Sequence, residues 1–450
     1  MLRMGAAQRR GILFGLLAVI WLLPTTVVRA QTGADVQRQF ERAFDHMLQD
    51  PSNLDKTFEY AELGIKIGDY EAAISALERM LLYNPDLPRV RLELGVLYFR
   101  LGSYAIARDY LTRAVVGENV PDDVRARVAV FLDEIDKRQS NHQFSGSIFG
   151  GARYQTNANA GPARPAIRLF DAEGTLDSEF TQKNDWNSFL SANLRHVYDP
   201  HAHNGDVMET NALFYATEQS DQQQLDLMFA EVTIGPRGQF MREFIENASW
   251  RPHVVVSTVN LDKSHYYFTY GAGINIDKQL TDRTNGSLTT SFVRKKYRAD
   301  AGRSTARLQN ADEVELEVNL RHQATDNWAL TGSAGITQLG ADSHLYSNRE
   351  VSLGLGAIVT YGAPYHLTNG GWTTSLNTTF LYSSYNAPDP SIDSFTKRND
   401  HEINATLLTS VPINKSWSVT STLARTEVGS NFLNYSYNNW AVSLGASVRF

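Results

Sequence analysis

Histidines, His196, His265, His322 and His401 among them, are the side chains in the long C-terminal part of this 450-residue chain best suited to proton transfer. They are scattered, and no motif surrounds any of them. Acid–base or nucleophilic catalysis needs a serine–histidine or aspartate–histidine set held within hydrogen-bond reach. No such set is legible, so no catalytic residue and no enzyme activity are expected. In "HAHN", His201 and His203 have the spacing of a metal pair, but they sit in a polar turn with no third ligand. A solvated turn is the expectation there. Gly354-x-Gly356 lies on one face of an alternating segment with no helix after it, which argues against a nucleotide loop. The chain has no cysteine, which removes thiolate metal sites and disulfides. No cofactor is implied, and a net charge of −7 gives no reason to expect nucleic acid.

One charged constellation stands out. Glu313, Glu315, Glu317, Asn319 and Arg321 share one face of an alternating segment, opposite Val314, Leu316, Val318 and Leu320. The preceding segment ends in "RKKYR", Arg294 to Arg298, which could pair with that acidic row across neighbouring strands. Two readings stand: wall-stiffening ion pairs, or a charged selectivity or client-contact patch.

The segments that would position these residues are strands. From about Asn141 onward the period is two, glycine, serine, threonine, asparagine and tyrosine are abundant, and about fourteen alternating segments can be placed. Their starts fall near Phe144, Lys183, Gly205, Gln223, Ser249, Ser264, Arg283, Asp312, Asn327, Asn348, Gly371, Asp400, Lys415 and Phe432. In the closing "WAVSLGASVRF", Trp440, Val442, Leu444, Ala446, Val448 and Phe450 share one face, while Ala441, Ser443, Gly445, Ser447 and Arg449 share the other. Long polar connections (Thr156 to Thr181, Arg298 to Ala311, Asn386 to Arg398) alternate with short ones such as "ATDN" and "PINK". Trp328 and Trp417 open strands after short turns, where an interfacial aromatic girdle would lie. Together these features predict a transmembrane barrel whose apolar face meets lipid and whose small polar face lines a lumen with little apolar filling. The closing segment resembles the C-terminal strand of outer-membrane barrels, and the resemblance implies that Trp440 and Phe450 belong to the signal read by the barrel-insertion machinery. Gly146, Gly150 and Gly151 in the first strand mark a candidate lateral seam, or else accommodate bulky neighbours.

Before the barrel the period is helical. Gly68, Tyr70 and Ala73 recur 34 residues later as Gly102, Tyr104 and Ala107, and Asn84-Pro85 matches Asp50-Pro51. That period, with small residues where helices cross and a closing proline, reads as tetratricopeptide repeats. Asp35 to Leu48 is half of an earlier unit, and Pro121 to Arg138 a capping helix. The first helix of each unit would line the partner groove, giving Phe58, Glu62, Ile65, Arg89, Leu92, Val96 and Phe99 as candidate contacts; core packing is the other reading for the apolar ones, and Glu62, Arg89 and Phe99 are the preferred contacts. Residues 1–30 have a basic start, an apolar run and a small-residue ending, the pattern of a signal peptide. The expected domains are therefore the signal peptide at 1–30, a periplasmic repeat domain at 34–140 and an outer-membrane barrel at 142–450. An even strand number puts both barrel ends, and the repeat domain, on the periplasmic side.

This order of domains resembles the surface lipoprotein assembly modulator (Slam) family, translocators of the type XI secretion class. The most local trace is "YQTNANAGPA", similar to the family's tyrosine followed by spaced asparagines and a proline: Tyr154, Asn157, Asn159 and Pro162. The family form usually has an acidic residue before the asparagines, where this chain has Gln155 and Thr156. The resemblance implies an outer-membrane translocator that helps client proteins, surface lipoproteins or soluble secreted proteins, cross from the periplasm to the cell surface. A polysaccharide-export porin with a docking domain, or a passive channel, is the alternative.

Overall fold

The computed structural model describes residues 33–450 apart from residues 51, 118–119, 201–204, 240–246, 301 and 365–369. The signal segment, His201 and His203 lie outside the described residues. Two compact units follow one another, dividing at Ser140 and Asn141.

The first unit holds six helices: α1 (Gly33–Gln49), α2 (Leu54–Ile67), α3 (Tyr70–Tyr83), α4 (Pro88–Arg100), α5 (Tyr104–Ala114) and α6 (Asp122–Gln139). Local chemistry sets their ends. The Asn53 side chain accepts from the Lys56 N–H and starts α2, and Asp69 does the same for α3 through Ala72. Gly68 takes a left-handed φ of 85° and closes α2. Close packing then depends on small residues. A Cβ on Gly95 would lie 2.5 Å from Leu111 Cγ, so α4 and α5 meet at a point where only glycine fits. Ala73, Leu77, Met80, Leu94 and Leu97 anchor one core cluster, and Leu111, Val124, Val128 and Ile135 another.

The last helix does more than cap. Arg89 pairs with Asp123 at 3.2 Å, Arg127 with Glu93 at 3.0 Å, and Arg138 donates to the Tyr104 hydroxyl at 3.2 Å. Each pair spans 34 residues, so α6 occupies the place of a further repeat's first helix.

The second unit is a closed antiparallel barrel. Its fourteen strands are β1 (His142–Gln155), β4 (Asp185–Tyr198), β5 (Val207–Gln219), β6 (Leu227–Gln239), β7 (Ala248–Leu261), β8 (Ser264–Thr281), β9 (Thr284–Tyr297), β10 (Ala311–Gln323), β11 (Trp328–Ala341), β12 (Asn348–Tyr361), β13 (Trp372–Pro388), β14 (Lys397–Pro412), β15 (Trp417–Ser430) and β16 (Tyr437–Arg449). Consecutive strands pair, and β1 closes against β16. Every segment expected to be a strand is one. The two short strands β2 (Ala166–Leu169) and β3 (Ala172–Thr175), which form a separate hairpin inside the first long connection, were not expected.

Alternation puts Leu353, Leu355, Val442 and Leu444 on the outer wall, with Leu355 68% exposed. A broad apolar outer band on a closed sheet is stable only against lipid. Half-exposed aromatics flank it. Phe144, Trp328, Trp417 and Phe450 lie at the end where β1 begins, termed here the terminal end, and Trp186, Tyr382 and Trp440 lie at the other, the loop end. Connection lengths alternate less regularly than expected. At the loop end, β7 and β8 are joined by Asp262 and Lys263 alone, at φ of 53° and 56°. Two left-handed residues match the twist of a tight hairpin, so no longer loop is needed.

Candidate functional site

The two sides of the lumen differ. Across β5 to β9, register aligns Tyr215, Phe229, Val259, Tyr267 and Tyr297 in one inward row, packed with Phe189 and Leu213. Across β11 to β16 the corresponding line is Ser333, Gly354, Thr379, Asn404, Thr426 and Asn439. The expected small polar lining holds along this line of the second side, though nearer the loop end Leu339, Leu381, Tyr385 and Val428 also turn inward. The first carries an apolar cluster, a correction to the expectation of little apolar filling. In "NALFYA" both faces are apolar, so the period-two signal that reveals an inward side chain is lost there.

Charge is also arranged. Glu209, 2% exposed, receives Arg195 at 2.7 Å, Arg237 at 2.9 Å and Arg251 at 3.2 Å, and Arg237 also reaches Asp277 at 2.8 Å. A carboxylate this buried requires such compensation. No sequence signal pointed to this group, because its members lie singly on five strands. The anticipated set does share the inward face: Glu313, Glu315 and Glu317 alternate with outward Val314, Leu316 and Val318, and Arg321 follows near the terminal end. Lys295 pairs with Glu313 at 2.6 Å. Arg294, by contrast, turns outward to Asp312 and Asp342, so the basic run is divided between the two faces.

At the loop end the connection between β1 and β4 folds into a cap. Its root is tied by the family-like motif. Asn157 accepts from the Gly161 N–H and donates to the carbonyls of Gly161 and Asn438. Asn159 accepts from the Lys183 N–H and donates to the Thr181 carbonyl, joining the start and end of the connection. Pro162 is buried beside them, while the Tyr154 hydroxyl accepts from Asn184. The cap's tip is the β2–β3 hairpin. Arg168 pairs with Asp393 at 2.6 Å, the Asp171 carboxylate accepts from Ser394, and Asn434 both accepts from and donates to the Arg168 backbone. Ile167, Leu176, Ile392 and Phe432 are buried in these loops. The Phe395 and Thr396 N–H groups, with Arg168 nearby, hold the Asp393 carboxyl below its ordinary 3.8.

The candidate seam pairs over nine residues, Ser147 to Gln155, whereas β1 meets β4 over fourteen. Gly146 and Gly150 face outward and Gly151 inward. A Cβ on Gly151 would fall 2.2 Å from the Leu444 carbonyl oxygen, so glycine is what lets the strands approach. The Phe450 ring lies over Gly146 and the Phe149 ring over Gly445, filling the gaps that glycine leaves. Trp440 faces outward, with the Arg425 guanidinium over its ring.

In the helical unit the groove candidates separate. Leu92 and Val96 are 1% and 5% exposed and belong to the core, so they have no surface to offer a partner. Phe99 packs edge-on against Phe131 and under Arg138, and Arg89 is engaged by Asp123. Glu62 is exposed, and Phe58 and Ile65 are half-buried against the first core cluster. Tyr98 and Tyr110 both donate to Glu78, at 2.9 and 3.2 Å, and burial with this carboxylate pushes the Tyr98 phenol up to about 12.

Residues 57–130 match the tetratricopeptide repeat family model. No curated protein matches the chain. Among solved structures, the chain is similar to the Yersinia enterocolitica type III secretion chaperone SycD in complex with a peptide of the translocator YopD, at 14% identity over 24% of this chain and 84% of that one, TM-score 0.23. It is also similar to an anion-selective porin from Comamonas acidovorans, at 10% identity over 69% and 99% of the two chains, TM-score 0.34. A third likeness is to the TodX monoaromatic hydrocarbon channel, at 10% identity over 68% and 90%, TM-score 0.36. The chain joins tetratricopeptide helices to a closed fourteen-stranded antiparallel barrel with an apolar outer band.

Proposed function

We propose that this chain is an outer-membrane translocator that passes particular client proteins from the periplasm to the cell surface. The observation that carries the reading is connectivity: helical repeats of a protein-binding type end at Gln139, and β1 opens at His142. A pore for small solutes needs no such domain. Long connections of membrane barrels face outward, which supports a cap on the cell surface and a terminal end, with the preceding helices, on the periplasmic side. The repeats would hold a client, the lumen would conduct it, and the cap would part to release it. Client lipoproteins or soluble secreted proteins both fit this scheme. The Slam-like motif agrees with it, its asparagines folding the cap's root.

Quantitative surface proteomics with protease shaving, on cells with and without the chain, tests the proposal. One or two proteins lost from the surface or medium and accumulating in the periplasm is the expected result. Unchanged surface proteins with a fall in polysaccharide or small-solute flux would establish a conduit of another kind.

A further inference from the structure

Resting on the translocator reading, we propose that the terminal end of the lumen is a collar that docks acidic polypeptide segments. Five inward arginines gather there: Arg195 on β4, Arg237 on β6, Arg251 on β7, Arg321 on β10 and Arg449 on β16. Their inward carboxylate partners at this end are Glu209 and Asp277. The side chains of Arg321 and Arg449 make no ion pair or hydrogen bond among the described residues, and they carry positive charge round to the other side of the barrel. Guanidinium groups bind carboxylates in a two-pronged, charge-assisted way, and an enclosed wall of one sign focuses that attraction.

Further along the lumen the sign reverses. Glu231, Glu313, Glu315, Glu317, Glu350 and Glu402 line the lumen from its middle to the loop end, on β6, β10, β12 and β14. The cations at that level are few: Lys295 is bound to Glu313, Arg398 to Asp400, and Arg153 donates to the Tyr215 hydroxyl. An acidic segment is therefore drawn in at the collar and opposed beyond it, so it pauses there. A basic segment is opposed at the threshold. A polypeptide fits better than an acidic sugar chain because the same protein carries repeats of a peptide-binding type.

The test uses the full chain in lipid nanodiscs with a fluorescent oligoglutamate peptide. Binding that weakens with salt, with no binding of oligolysine, is expected, and Arg321→Gln with Arg449→Gln should weaken it about tenfold. Neither residue supports a structural ion pair, so the double variant should fold, which heat-modifiable migration on gels would verify. To locate the peptide, Ser447→Cys in this cysteine-free chain is treated with an anionic thiosulfonate reagent, and oligoglutamate should protect it. Equal binding of oligolysine, unchanged affinity in the double variant or no protection would each overturn the collar. Tighter binding of an oligouronate than of oligoglutamate would overturn the polypeptide assignment. Oligoglutamate binding with unaltered surface proteins would keep the collar and remove the translocator. Client export without oligoglutamate binding would do the reverse.

Discussion

The helical unit and the barrel place their apolar side chains in opposite directions. In the helices, leucines such as Leu77, Leu94 and Leu111 are at most 1% exposed and meet one another across glycine and alanine. In the barrel, Leu353 and Leu355 point away from the interior, and the interior holds Glu209 and Arg251. The same transfer free energy acts in both. What differs is the solvent, and it inverts which positions tolerate change.

Substitutions that exploit this inversion should separate the two units. The largest effect is expected from Leu355→Arg, which places a charge in the apolar band and should destabilise the barrel by about 3 kcal/mol, with the helical transition unmoved. Urea titration of barrel refolding into vesicles reads it. Gly95→Val should act on the helices alone, lowering their stability by about 2 kcal/mol because Leu111 must move aside. Helical ellipticity on heating would show the loss, with barrel migration on gels unchanged.

Smaller effects concern the cap and the ring cluster. Arg168→Ala should free the hairpin tip without unfolding the barrel, raising hydrogen exchange over β2 and β3. The depressed Asp393 stabilises the latch when ionised, so the latch should be intact at pH 5 and lost as pH falls below the ordinary carboxylate value of 3.8. The raised Tyr98 has the opposite sign: its contribution is present below pH 10 and fades as pH climbs towards about 12. Glu78→Gln should bring that titration down, as ultraviolet absorbance would show. The least change is expected from Ile148→Cys with Val448→Cys. These residues are register partners in a filled seam, so their oxidation should leave export intact, and loss of export would instead show that the seam opens.

How much of this was legible in the sequence depended on whether a signal was local. The repeat period, the fourteen strands and the inward row of Glu313, Glu315 and Glu317 all follow from spacing within one segment. Which of the apolar groove positions serve packing was not legible: a first helix has a groove face and a core face, and α6 helps to cover Leu92 and Val96. The Glu209 cluster, the aromatic row and the cap's latch were invisible for another reason. The first two assemble single residues from successive strands, aligned only by the register of each pair, and the latch joins loops far apart in sequence, Arg168 and Asp393.

The ion pairs at 34-residue spacing have a consequence for copy number. Duplication of one unit is the simplest genetic accident in a repeat array, and the hydrophobic cores alone would accept it. The charges would not. A second copy of α4 inserted after the first would face Arg89 with its own arginine and Glu93 with its own glutamate, where α6 supplies Asp123 and Arg127. Exposed pairs contribute little to stability, but their mismatch discriminates between neighbours. The ladder therefore marks α6 as the neighbour that α4 is charged to meet, a bias against an inserted copy of the unit rather than a source of stability.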